Sequence, residues 1–165
     1  IGLLIAVFVI FLMLVATFQS FRISMVILST VPFVVVGALL MLNITGSTLN
    51  LQSYMGLIMS VGVSIANAVL LISNAETLRK SNSDAIHSGI EAARLRIRPI
   101  IMTTLAMIAG MLPMAIGFGE GGDQIAPLGR AVIGGLLFST FSVLIILPLV
   151  FGWMKKKSSI IKRIN

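Results

Sequence analysis

Ser60, Ser64 and Asn67 recur at i, i+4 and i+7 within "SVGVSIANAVLLIS", which puts three polar side chains on one face of an otherwise apolar helix. None is charged, so the chemistry open to them is hydrogen bonding and proton relay rather than bond cleavage. The serines have two readings. Ser60-x-x-x-Ser64 is a small-xxx-small pair that lets helices approach closely, as are Ala106-x-x-x-Gly110 and Ala131-x-x-x-Gly135. Asn67 is different, because an amide in hydrocarbon must find partners and faces a bundle interior or a watery path. Thr103 and Thr104 are natural partners for it, although a threonine hydroxyl can equally bond its own helix backbone.

Other candidates are weaker. His87 is the only histidine and there is no cysteine, so disulfides and thiolate metal sites are excluded and His87 is expected on a solvated face. Met107, Met111 and Met114 follow the same i, i+4, i+7 spacing. They suit either a thioether path for a soft ion such as Cu(I) or ordinary gap-filling, the commoner use of methionine. "GFGEGG" formally matches a dinucleotide fingerprint but follows an apolar helix instead of a strand, and reads as a flexible external turn. No Ser-His-Asp set or carboxylate pair lies inside an apolar run, so no enzyme activity, metal or organic cofactor is expected.

The elements that must position these residues are membrane spans. Hydrophobic residues make up 58% of the chain and charged residues 10%, and the charges cluster, leaving long uncharged runs. The expected fold is all-α and integral to the membrane, with five spans near residues 1–18, 24–42, 51–73, 99–118 and 128–153. Residues 83–97 add a short amphipathic helix lying in the cytoplasmic interface. Ser83 caps it, Asp84 sits in its first turn, and Ile86, Ile90, Ala93 and Ile97 face His87, Glu91 and Arg94 across it. Pro99 then opens the fourth span as a first helical residue, while Pro32, Pro113 and Pro148 kink their spans.

Charge sets the orientation. Of the twelve lysines and arginines, eleven fall on one side: Arg22, Arg79, Lys80, Arg94, Arg96, Arg98, Lys155, Lys156, Lys157, Lys162 and Arg163. The other side holds only Arg130, beside Glu120 and Asp123. The positive-inside rule therefore makes the basic tail, 155–165, cytoplasmic. The net charge of +7 does not imply nucleic acid, because no folded basic domain remains to track phosphates. The first span is barely long enough and lacks an initiator methionine, so further sequence is expected upstream.

"RLRIRPIIMTTLAMIAGMLPMAIGFGEGGDQIAPLGRAVIGGLLFST" closely resembles the C-terminal membrane segment of resistance-nodulation-division (RND) efflux transporters. "VATFQSFRISMVILSTVPFVVVGALL" resembles that family's eighth and ninth spans, and "GVSIANAVLLISNAE" its tenth. The resemblance implies spans eight to twelve of a twelve-span bundle of two repeated halves, in the inner membrane of a Gram-negative bacterium. It also implies export of drugs, metals or lipophilic molecules with protons as the coupling ion. The implied partners are the N-terminal half, periplasmic porter domains, two further copies in a homotrimer, a periplasmic adaptor and an outer-membrane channel. Carried over by motif, the family's relay threonine falls on Thr103 and its arginine on Arg96, with Asn67 and Ser64 beside them. The relay lysine falls on Ala66, a departure from the pattern. Asn67 can hydrogen-bond a carboxylate but cannot pair its charge, which favours the protonated acid. Two alternatives stay open: a truncated, non-transporting membrane fragment or scaffold, and a metal-exporting relative.

Overall fold

The computed structural model describes residues 2–81, 85–119 and 121–154. The expected Ser83 cap, Asp84, Glu120 and the tail 155–165 lie outside the described residues. The described chain is helical, with α1 at Gly2–Phe18, α2 at Phe21–Leu28, α3 at Val31–Ile44, α4 at Leu51–Ser81, α5 at Ala85–Ile116 and α6 at Gly122–Phe141. A π turn at Ser142–Ile146 follows α6, and the helix then continues to Met154. Four stretches, Phe21–Ile44, Leu51–Ser81, Ile86–Ile116 and Gly122–Met154, are long and apolar enough to cross a membrane. Leu4–Phe18 is apolar but shorter.

Four boundaries differ from expectation, among them the start of the last span, which is helical from Gly122, six residues before its expected first residue. The second span is two helices, α2 and α3. Pro32 lacks an N–H, and the Ser29 and Thr30 hydroxyls donate to the Val26 and Ile27 carbonyls at 2.6 and 2.8 Å, which interrupts the helix while both residues keep right-handed helical dihedrals. Span three runs on as helix to Ser81, eight residues beyond its expected end. The expected interfacial helix and fourth span are one helix, with Pro99 inside it and not at its start.

That continuity follows from which face is buried. Ser88, Ala92, Ala93, Ile100 and Thr104 are buried, whereas Ile86, Ile90 and Ile97 are exposed. A Cβ at Gly89 would meet the Pro148 carbonyl oxygen at 3.0 Å, so α5 lies against the last helical stretch through small residues. The expected isoleucine face is therefore turned away from the protein. Lipid accepts large aliphatic side chains, while close backbone approach demands small ones. His87 and Arg94 are exposed as expected.

The bundle is organised around α6, which packs on α3, α4 and α5. Glycines make these contacts possible. A Cβ at Gly134 would lie 2.5 Å from the Gly37 carbonyl oxygen on α3, and one at Gly129 would lie 2.8 Å from the Ala115 nitrogen on α5. On α4, a Cβ at Gly56 would meet the Leu128 carbonyl oxygen at 2.6 Å. α5 is peripheral: 17% of its most apolar window is buried, against 56% for the last span.

Candidate functional site

The polar stripe of α4 divides in two. Ser60 and Ser64 are fully buried, and a Cβ at Gly135 would fall 2.5 Å from the Ser60 Oγ, so this part faces α6. Ser60 donates to the Leu57 carbonyl at 2.9 Å. The Ser64 hydroxyl, by contrast, has no hydrogen-bond partner among the described residues. One turn further on, Asn67 is half-exposed and also makes no side-chain hydrogen bond among the described residues. The packing reading holds for Ser60 and for Ala131-x-x-x-Gly135. Ala106-x-x-x-Gly110 has no neighbour among the described residues: both residues are exposed and a Cβ at Gly110 meets nothing within 4 Å.

Thr103, Thr104 and Arg96 are not joined to Asn67. Thr103 is exposed, and its hydroxyl is shared between the Pro99 and Ile100 carbonyls of its own helix, each at 3.0 Å. Thr104 is buried and bonds Thr140 on α6 at 3.0 Å, with Thr140 donating onward to the Leu136 carbonyl. Arg96 is half-exposed toward one end of the same helix. Ala66, the position of the missing lysine, lies on the open side of α4. With Gly62, Ile65 and Val69 it lines an apolar groove of about 380 Å3, closed opposite by Ile10, Met13, Leu14 and Thr17 of α1. A Cβ at Gly62 would meet nothing within 4 Å. Two open faces thus remain, one on α4 around Gly62 and Ala66 and one on α5 around Thr103, Ala106 and Gly110.

Arg130 is a residue whose role the sequence reading missed. Its Nε donates to the Ala115 carbonyl at 2.8 Å, and its terminal nitrogen donates to the Ser47 hydroxyl at 2.6 Å. The Ala115 carbonyl lies in the last turn of α5, where no intrahelical N–H remains to serve it. One guanidinium therefore closes the end of α5 and ties α6 to the α3–α4 loop. The available signal was its isolation, a lone cation in an apolar span. Hydrogen bonds from charged donors contribute about 1.5–3 kcal/mol each.

No group of three or more His, Cys, Asp or Glu side chains that could hold a metal ion occurs among the described residues. In the methionine row, Met107 and Met111 are half-buried and Met114 is exposed.

Known proteins resemble this chain in sequence and fold. The family model described as "AcrB/AcrD/AcrF family" matches residues 1–155. The swarming motility protein SwrC of Bacillus subtilis (strain 168) is 37% identical over 157 residues, covering 94% of this chain and 15% of SwrC. The multidrug resistance protein MdtF of Escherichia coli (strain K12) is 37% identical over 148 residues, covering 89% of this chain and 14% of MdtF. A crystal structure of a heavy metal efflux pump superposes with a TM-score of 0.81 at 32% identity, over 91% of this chain and 15% of that one. The chain spans about a seventh of the length of these relatives. Matched along nearly all of its length, it belongs to the AcrB/AcrD/AcrF family, the RND efflux permeases.

Proposed function

We propose that the chain forms the last five spans of a proton-driven RND permease that exports drugs or other lipophilic compounds. The observation that carries this reading is the pair of open faces on α4 and α5. Ala66 stands on one and Thr103 on the other, both exposed, with Asn67 half-exposed beside Ala66. Small residues at Gly62, Ala66, Ala106 and Gly110 suit close packing of another span, as at the Gly37–Gly134 contact already present. In this reading an N-terminal half brings the carboxylates that bind protons, and Asn67, Thr103, Arg96 and Ser64 complete the hydrogen-bonded surroundings. Porter domains, a homotrimer, a periplasmic adaptor and an outer-membrane channel belong to the same proposal. So do a bacterial inner membrane and a cytoplasmic C-terminus, which rest on the eleven-to-one distribution of basic residues.

A second reading, export of a soft metal ion, draws on the likeness to the heavy metal pump and on the Met107–Met111–Met114 row. The two readings share the proton-coupling residues and differ only in cargo.

Asn67→Ala and Thr103→Ala in the full protein test the coupling. Losing a hydrogen bond to a charged carboxylate costs about 1.5–3 kcal/mol, so each variant is expected to transport about 10- to 100-fold more slowly under a proton gradient. Expression and unfolding midpoint are expected to stay unchanged, because neither side chain holds a neighbouring helix. Wild-type transport rates in both variants would sink the proposed coupling role.

A further inference from the structure

Two serine hydroxyls, Ser64 on α4 and Ser142 at the start of the π turn, are buried and have no hydrogen-bond partner among the described residues; the two residues are 0% and 1% exposed. A buried hydroxyl without a partner costs on the order of 1–3 kcal/mol. The other route open to a helical serine is to bond its own backbone, which Ser60 takes at the Leu57 carbonyl. Their relative placement follows from the register of α4 and α6, which run in the same direction. The contacts of Gly56 with Ala131 and of Ser60 with Gly135 share one register. Carried forward, it sets Ser64 level with Ser139 and Asn67 level with Ser142. Ser64 and Ser142 are then about 4.5 Å apart along the helix axes at a 1.5 Å rise per residue, on faces turned toward each other.

The π turn adds an acceptor. The Leu147 N–H reaches back to the Ser142 carbonyl, and the next residue, Pro148, has no N–H to offer the Val143 carbonyl. Val143 is fully buried. The two partnerless hydroxyls thus lie on the α4–α6 seam, with the Val143 carbonyl beyond Ser142 as a further acceptor. Single-turn π segments of this kind recur at functional sites.

We propose that this junction is a binding site for an ordered water molecule, held by the Ser64 and Ser142 hydroxyls. Two hydroxyls supply the two partners that a buried water needs at least, and a water both donates and accepts, as two facing hydroxyls require. The site stands independently of proton coupling.

The test uses the full protein in lipid nanodiscs, with serine isotopically labelled and water-to-protein magnetisation transfer read by solid-state NMR. Transfer from water is expected at Ser64 and Ser142, and Ser64→Ala is expected to abolish it at Ser142, with the reciprocal loss in Ser142→Ala. Each single variant is also expected to lower the thermal unfolding midpoint, and the double variant to lower it by less than the sum of the two. No transfer at either serine in the wild type overturns the proposal. A raised midpoint in either single variant overturns it too, because that is the result of deleting a hydroxyl that had no partner to lose.

Discussion

Gly134→Leu is expected to abolish the folded bundle, and Gly134→Ala to destabilise it by about 1–3 kcal/mol, the usual cost of overpacking. The reason is that the contact is backbone against backbone. A Cβ at Gly134 would run into the Met41 Cβ and sit 2.5 Å from the Gly37 carbonyl oxygen, and a Cβ at Gly37 would sit 2.6 Å from the Gly134 carbonyl oxygen. No rotamer change relieves a clash with a carbonyl, so α3 and α6 must separate. Because α6 also carries the contacts to α4 and α5, separation spreads through Gly135 against Ser60 and Gly129 against Ala115. The measurement is the yield of monodisperse protein after detergent extraction, followed by its unfolding midpoint. A Gly134→Leu protein with wild-type yield and midpoint would show that α6 is not the hub of the bundle.

Ala66→Lys is expected to move the pH dependence of transport toward acid by about one to three pH units while leaving the fold intact. Ala66 is exposed and borders a groove of about 380 Å3, so a lysine stem has room to extend there. Under the proposed function a carboxylate of another span faces this position. An ammonium within about 4–6 Å favours the ionised acid, so proton loading then requires a lower pH. Without the lysine the acid is more easily protonated, and loading occurs at higher pH. The wild type is therefore expected to keep transporting at pH values where Ala66→Lys has stopped. The profile of transport rate against pH reads this directly, and coincident profiles would place the facing carboxylate elsewhere or nowhere.

The sequence disclosed the helices better than their partners. Uncharged runs located the apolar stretches because exclusion of charge from hydrocarbon is a property of each helix alone. Small-residue spacing found Ser60 and Ala131-x-x-x-Gly135, which do pack, but also Ala106-x-x-x-Gly110, which faces outward. Spacing reports a face that can pack and says nothing of whether this chain supplies the neighbour. Ile86, Ile90 and Ile97 are exposed, as the apolar face of an interfacial helix must be, but the continuity of that helix with the fourth span was not legible, because Pro99 reads as a first helical residue. Thr104 and Thr140 meet only through the antiparallel register of α5 and α6, 36 residues apart, which no local pattern encodes. The clamp at Arg130 likewise depends on the end of α5 and the α3–α4 loop arriving together. Within the candidate site, Asn67, Ala66 and Thr103 were identifiable by residue type and motif. Their separation on two open faces was not, because it follows from where α1 and α6 leave α4 and α5 uncovered.

The central claim is proton-driven export, and its most direct measurement is gradient-driven flux in proteoliposomes containing the full protein. A pH difference is imposed across the membrane, and movement of ethidium is followed together with a lumenal pH dye. The expected result is ethidium transport that starts with the gradient, is accompanied by dissipation of the gradient faster than in empty liposomes, and stops on adding a protonophore. Ethidium movement that is indifferent to the gradient, or a gradient that decays no faster with ethidium than without it, would contradict proton-driven export.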